Sequence, residues 1–257
     1  MKDFFKTHRI WVTGASSGIG YACVLEFIKQ GARSIVVSGR NMDKLDELKA
    51  GVTGVNLVIL PFDVTSREQT LQAANQVKTE LGGIDLVFLN AGASEHFDVR
   101  HFDSSVFERM ITVNYLSVVY GVEAVLPLLR QSKQPYLVGM SSVAGYGGLP
   151  GAGSYCAAKA AARVFLESIK IDLLREKIPV SVVCPGFVKT PLTNKHRFKM
   201  PFIMSAEKAA ELIVRGIRHQ AGEIHFPKRM SVFLKLMNCL PANVYTKIMS
   251  CVDARAK

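Results

Sequence analysis

The chain lacks any Cys-x-x-Cys pair: its five cysteines, Cys23, Cys156, Cys184, Cys239 and Cys251, are scattered and odd in number. That argues against a disulfide framework or a zinc cluster, and predicts free thiols in a reducing, cytoplasmic setting. Long apolar runs are missing as well. The longest stretch without a charge, Gln134 to Ala158, carries six glycines and two prolines, which speaks against a membrane-spanning helix there. The opening MKDFFKTHRI has no apolar core ahead of its first turn signal, so no signal peptide is expected. His96 and His196 have no partners at metal spacing; they are expected at the surface, with no metal bound. No internal repeat, low-complexity segment or linker breaks the chain, so a single domain over residues 1–257 is expected.

Acidic residues are scarce only in the last third. Residues 1–176 hold 18 Lys and Arg against 17 Asp and Glu, whereas residues 177–257 hold 14 against 4. The net charge of +11 therefore belongs to the end of the chain. No nucleic-acid motif accompanies it, so neither DNA nor RNA is expected as a partner.

Short β-branched runs alternate with helical patterns. Strands are expected at 8–14, 34–39, 56–64, 84–92, 135–142, 180–186 and 223–226. Helices are expected at 17–31, around MDKLDELK, at 66–83 behind a Ser/Glu capping pattern, at about 103–130 and at 154–176. Strands apolar on both faces and separated by helices mean an α/β fold: a doubly wound, Rossmann-like, parallel sheet of seven strands with helices on both faces.

The first strand runs into TGASSGIG, with Gly14, Gly18 and Gly20 spaced around Ser16, Ser17 and Ile19. Such a turn lets backbone N–H groups approach a pyrophosphate at a helix N-terminus; a tight packing turn is the plainer alternative. The second strand ends Ser38-Gly39-Arg40, with no carboxylate to bind a ribose 2′-hydroxyl. An arginine there pairs with a 2′-phosphate, so NADP(H) is expected over NAD(H), unless Arg40 is simply solvated.

GSYCAAK places Tyr155 and Lys159 one helical turn apart. A lysine ammonium favours the phenolate, so the spacing predicts a lowered tyrosine pKa and a proton donor or acceptor for a carbonyl or alcohol. Ser141-Ser142 close the fifth strand, where ligands of parallel sheets bind, and Asn90-Ala91-Gly92 end the fourth. Asn114 sits inside a helical pattern, a poor place for asparagine without a polar task.

Together these motifs resemble the short-chain dehydrogenase/reductases in their compact single-domain branch. The matching set is TGASSGIG, Asp63 in FDVT, NAG at 90–92, Asn114, Ser142, Tyr155 with Lys159, and Pro185-Gly186 followed by Thr190. The resemblance implies Tyr155 as general acid/base. Lys159 would lower its pKa and hold the nicotinamide ribose, Ser142 would orient the carbonyl, and Asn114 would support a water that relays protons to Lys159. It implies adenine contacts from Asp63 and Val64, an adenine-side wall at Asn90, further cofactor contacts from Ala91, Gly92, Pro185 and Gly186, and carboxamide contacts from Val188 and Thr190. It also implies a homodimer or homotetramer through helices 103–130 and 154–176.

By the same resemblance 187–204 is a substrate lid, and Leu149, Pro150, Phe187, Leu192, Ala93 and Ser94 would line a pocket for a hydrophobic carbonyl or alcohol. The tail, 227–257, resembles the family least. Phe233, Met237, Leu240, Val244 and Ile248 recur at helical spacing, and Pro241 is expected to split them into two helices. The tail either packs over the pocket or a subunit interface, or forms with the lid a basic, apolar surface for an anionic membrane or an acidic, lipid-like substrate. A second reading of the whole chain is an NADP(H)-binding sensor or scaffold with little catalysis, because a fold alone does not decide function.

Overall fold

The computed structural model describes residues 4–195 and 200–254; His196, the middle of the expected lid and the last residues of the tail lie outside them. In chain order come β1 (Arg9–Thr13), α1 (Gly18–Lys29), β2 (Ser34–Ser38), α2 (Met42–Ala50), β3 (Asn56–Ile59), α3 (Arg67–Leu81) and β4 (Leu86–Leu89). Then follow α4 (Ser104–Ile111), α5 (Ser117–Leu129), β5 (Tyr136–Met140), α6 (Gly153–Leu173) and β6 (Val180–Pro185). A two-residue ladder, β7 (Val188–Lys189) with β8 (Met204–Ser205), precedes α7 (Ala206–Arg218) and β9 (Glu223–Phe226); α8 (Lys228–Asn238) and α9 (Ala242–Ala254) follow. The main sheet has seven strands in the order β3-β2-β1-β4-β5-β6-β9, every pairing parallel. The expected seven-stranded α/β sheet is what forms. Its order reverses between β1 and β4, which opens a crevice beyond the strands' carboxyl ends.

Alternation along each strand divides the core in two. Ile10 and Val12 of β1, Ile35 and Val37 of β2 and Leu86 and Phe88 of β4 join α1 and α7 on one face. Trp11, Val36, Val87 and Leu89 join α3, α5 and α6 on the other. The one tryptophan is fully buried, and its indole N–H is satisfied by the Ser38 hydroxyl at 2.9 Å. Helix starts follow side-chain chemistry. Asn41 caps α2 by accepting from Lys44 N, and Ser66 caps α3 by accepting from Gln69 N at 3.3 Å. The glutamate of the capping pattern does not return a bond to Ser66; Gln69 Oε1 instead accepts from Asp63 N at 3.0 Å, and Ser66 N donates to Asp63 O.

Three expectations need adjustment. The third strand stops at Ile59 instead of continuing to 64, because Pro61 has no N–H to give the ladder. The helix expected over 103–130 is interrupted: between α4 and α5 the turn Thr112–Leu116 is π-helical, and the extra residue turns Asn114 fully inward. The combined run, Ser104–Leu129, is long and apolar enough to cross a membrane by length and composition; here α4 packs on α6 and α5 on α3. Third, of the five tail residues at helical spacing only Met237 is buried: α8 buries Ser231, Leu234 and Met237 and leaves Phe233 exposed, while the expected break at Pro241 does separate α8 from α9.

The tail is nonetheless fastened to the sheet. Tyr146 donates to one oxygen of Glu223 at 2.7 Å, Lys235 of α8 donates to the other, and the Lys235 ammonium lies 5.0 Å from the Tyr146 ring centroid. Burial raises the Glu223 pKa, but the Lys235 and Tyr146 hydrogen bonds outweigh it and hold the carboxyl below its ordinary value. In α9, Tyr245 donates to Gly148 O at 2.7 Å, which sets the second tail helix against the loop leading into α6.

Candidate active site

At the crevice, Gly14 (φ +67) and Gly18 (φ +59) hold the left-handed backbone that side chains disfavour. Their packing also demands glycine: a Cβ on Gly14 would come within 2.8 Å of Ala91 Cα, and one on Gly20 would strike the Gly14 carbonyl oxygen. Ser17 is the N-cap of α1 but makes no side-chain cap hydrogen bond, so the first N–H groups of the helix keep their positive end for a ligand. These features fit a dinucleotide pyrophosphate. Ser16 packs against Gly39, its Oγ 3.1 Å from where a Cβ would stand, which brings the glycine-rich turn beside the exposed Arg40.

Asn90 is spent on scaffolding. Its amide donates to Thr13 O at 3.0 Å and Gly14 O at 3.2 Å, while the Thr13 hydroxyl accepts from Asn90 N and Ala91 N. The end of β4 is thereby tied to the turn after β1. Asp63 accepts from Thr65 N and Thr65 Oγ1, which with Arg40 nearby keeps its carboxyl below the ordinary value despite some burial. Thr190 closes from the opposite side, its Cγ2 3.1 Å from where a Gly18 Cβ would lie, and is held by Thr193 Oγ1, which accepts from Thr190 N at 3.0 Å. Val188 is buried at the start of the lid, and Gly186 N donates to Phe226 O at 2.7 Å.

The four residues expected to do chemistry converge here. Ser142 is buried, donates to Pro185 O at 3.3 Å, and lies in hydrogen-bonding reach of the Tyr155 phenol. Lys159 is buried, donates to Met140 O at 3.3 Å, and stands over the Tyr155 ring 5.9 Å from its centroid. Asn114 Oδ1 accepts from Ala93 N at 3.1 Å and its amide donates to Ala93 O at 2.9 Å, so the side chain clamps the strand after β4. Gly92 is the junction: a Cβ there would sit 2.8 Å from Asn114 Oδ1 and 3.3 Å from Lys159 Nζ.

The electrostatics run against one expectation. Burial raises the Tyr155 pKa to about 12, and the Ser142 hydrogen bond offsets only part of that. Lys159 does not acidify it in the cofactor-free protein. Burial instead lowers the Lys159 pKa to about 8, since no carboxylate faces that ammonium. Near neutrality the phenol is therefore a neutral donor beside a mostly protonated amine.

Of the expected pocket residues, Phe187 and Leu192 are half-buried and Pro150 is exposed, while Leu149 packs partly on the core. His96 is exposed, as expected, yet its ring edge lies 2.8 Å from where a Gly151 Cβ would stand, against the loop before α6. Sequence reasoning named the pair Ser141-Ser142 without separating their tasks: Ser141 donates to Lys159 O at 2.8 Å and ties the first turns of α6 to the end of β5. One contributor escaped it. Tyr245 had no motif to mark it.

Residues 8–200 match the family described as short chain dehydrogenase. An uncharacterized oxidoreductase of Myxococcus xanthus is 35% identical over 232 residues, 90% of this chain and 91% of that one. Epidermal retinol dehydrogenase 2 of Mus musculus is 29% identical over 240 residues, 90% of this chain and 78% of the relative. Among solved structures, a short chain dehydrogenase from Burkholderia cenocepacia in complex with NADP superposes with a TM-score of 0.82 at 22% identity, covering 95% of this chain and 98% of that one.

Replacing Lys159 by methionine removes a buried charge. Because the folded pKa of about 8 lies below the ordinary 10.5, the unfavourable contribution is complete below pH 8 and fades as pH rises to 10.5. Lys159→Met is expected to stabilise the cofactor-free protein at pH 7 by on the order of 2 kcal/mol while abolishing turnover. Urea unfolding at pH 7 and pH 10 checks this; a variant less stable at both would contradict it.

Proposed function

The chain belongs to the short-chain dehydrogenase family, and we propose that this oxidoreductase moves a hydride between NADP(H) and a hydrophobic carbonyl or alcohol. The observation that carries the reading is Ser142 within reach of Tyr155, with Lys159 one turn further on, at the carboxyl end of the sheet beside the uncapped start of α1. A bound nicotinamide supplies or takes the hydride. Tyr155 hands its proton to the carbonyl oxygen, or takes one from the alcohol, and Ser142 hydrogen-bonds the same oxygen. Lys159 holds the nicotinamide ribose and lowers the barrier to losing the phenolic proton. A phenol raised to about 12 is the protonated form that carbonyl reduction consumes.

Gly14, Ser16, Ser17, Gly18, Ile19 and Gly20 receive the pyrophosphate, Asp63 and Val64 the adenine, and Val188 and Thr190 the carboxamide. Arg40 pairs with the 2′-phosphate, since β2 itself ends in Ser38-Gly39-Arg40 without an acidic residue. The Burkholderia cenocepacia neighbour, described as bound to NADP, supports the same cofactor. Leu149, Pro150, Phe187 and Leu192 make an apolar pocket, in keeping with a relative named for retinol. Tyr245 brings the tail over that pocket's loop.

A panel of apolar ketones and aldehydes with NADPH tests the chemistry. Tyr155→Phe is expected to lower kcat by roughly 10²–10⁴-fold, the usual worth of a positioned acid. Equal turnover by both proteins would instead favour a cofactor-binding sensor. In cofactor choice, kcat/KM is expected to be at least about tenfold higher with NADPH than NADH, and Arg40→Asp to reverse that order; an unaltered ratio removes Arg40 from the account. The exposed Val232, Phe233 and Leu236 on α8, with Lys228 and Arg229, suit an anionic membrane surface. Sedimentation with anionic vesicles is expected to exceed that with neutral ones, and equal, negligible binding to both rejects membrane contact.

A further inference from the structure

A second cavity, about 770 Å³, opens at the other end of the sheet, where His8 leads into β1 and Tyr136, Val180 and Gly222 stand at or before the starts of β5, β6 and β9. Lys133, Lys170 and Lys177 line it, and among the described residues no carboxylate does. None of the three forms an ion pair among the described residues: the nearby acids are taken, Asp85 by Arg9 and Ser132, and Glu176 by Arg130. Lys170 is half-buried against Gly222, where any Cβ would displace its Nζ.

Cations at helix ends have a simpler use, because a helix C-terminus carries roughly half a negative charge. Helices α6 and α7 both end at this cavity, so about one negative charge stands against three positive ones. No ion pair among the described residues neutralises the surplus. His8 forms part of the wall and is 4% exposed, with its Nδ1 beneath the cavity surface. The helix ends point to a ligand. Lys177 (φ 55) and Gln220 (φ 49) occupy the left-handed position that ends α6 and α7, with Ile178 N bonded to Leu173 O and Ala221 N to Gly216 O. Glycine is the cheap residue at such a position. Both side chains kept there line the same cavity. The rest of the wall mixes apolar Phe4, Leu174, Ile178 and Pro179 with polar Thr7 and Gln134, and Leu174 is exposed.

We propose that this cavity is a second ligand site, at the far end of the sheet from the dinucleotide crevice, and that it takes an amphipathic organic anion. Lys133, Lys170 and Lys177 hold the carboxylate or phosphate head, and the apolar body lies on Leu174 and Pro179. The site needs neither Tyr155 nor the cofactor, so it stands or falls apart from the catalytic reading.

Calorimetric titration of the full chain, saturated with NADPH, with decanoate, decyl phosphate and decanol tests it. Decanoate or decyl phosphate is expected to bind at least tenfold more tightly than decanol. That affinity is expected to drop at least tenfold in Lys170→Gln/Lys177→Gln and to hold in Lys228→Gln/Arg229→Gln, which removes the same charge elsewhere. Thermal unfolding of both double variants confirms that they are folded. No binding by either anion, equal binding of decanol, or equal losses in the two double variants would overturn the proposal; so would binding that survives in Lys170→Gln/Lys177→Gln, because the ligand then sits in the catalytic pocket.

Discussion

An ammonium group with no carboxylate partner among the described residues, buried at the carboxyl end of the sheet, is the constraint around which the candidate site is built. Lys159 is shielded from solvent there, and among the described residues its ammonium donates to the Met140 carbonyl. Neighbouring choices follow from that. Position 92 must be glycine, because a side chain would collide with Asn114 and crowd the ammonium. The π-helical turn carries Asn114 inward to clamp Ala93. Ser141 ties the Lys159 carbonyl back to the strand, so the helix cannot slide to relieve the buried charge. The protein holds an unfavourable charge in place through rigid surroundings, which is how strained sites persist.

Motifs with local geometry were legible in the sequence. The seven strands, the glycine turn, the Tyr155/Lys159 spacing and the split of the tail at Pro241 all depend on contacts a few residues apart, or on backbone preferences that one residue imposes. An interior asparagine at 114 signalled a polar task without showing which. What the sequence did not carry is set by long-range packing. The Lys159 effect on Tyr155 was expected from charge proximity, yet burial of both groups reverses it, and burial is a property of the assembled sheet. Asn90 serves the backbone of Thr13 and Gly14, 77 and 76 residues away, rather than standing open to a ligand. Of the tail's apolar stripe only Met237 is buried, because which side of each helix meets the fold is set by distant contacts such as Lys235 with Glu223 and Tyr245 with Gly148.

The two ends of the sheet are used differently. At the carboxyl ends, glycines bring backbones close and the start of α1 has no side-chain cap, so backbone dipoles rather than side-chain charge favour a negative group. At the amino ends, helices terminate and lysines supply the positive field instead. One molecule thus presents anion-friendly surfaces at both poles through unrelated physics, backbone dipoles at one and side-chain charge at the other.

The tail's attachments carry a consequence for assembly. β9 is an edge strand, Tyr146 is held by Glu223, and Gly148 is held by Tyr245, so the loop in front of α6 leans on residues made 77 and 97 positions later. During synthesis, β1 to β6 can pair while that loop still lacks both supports.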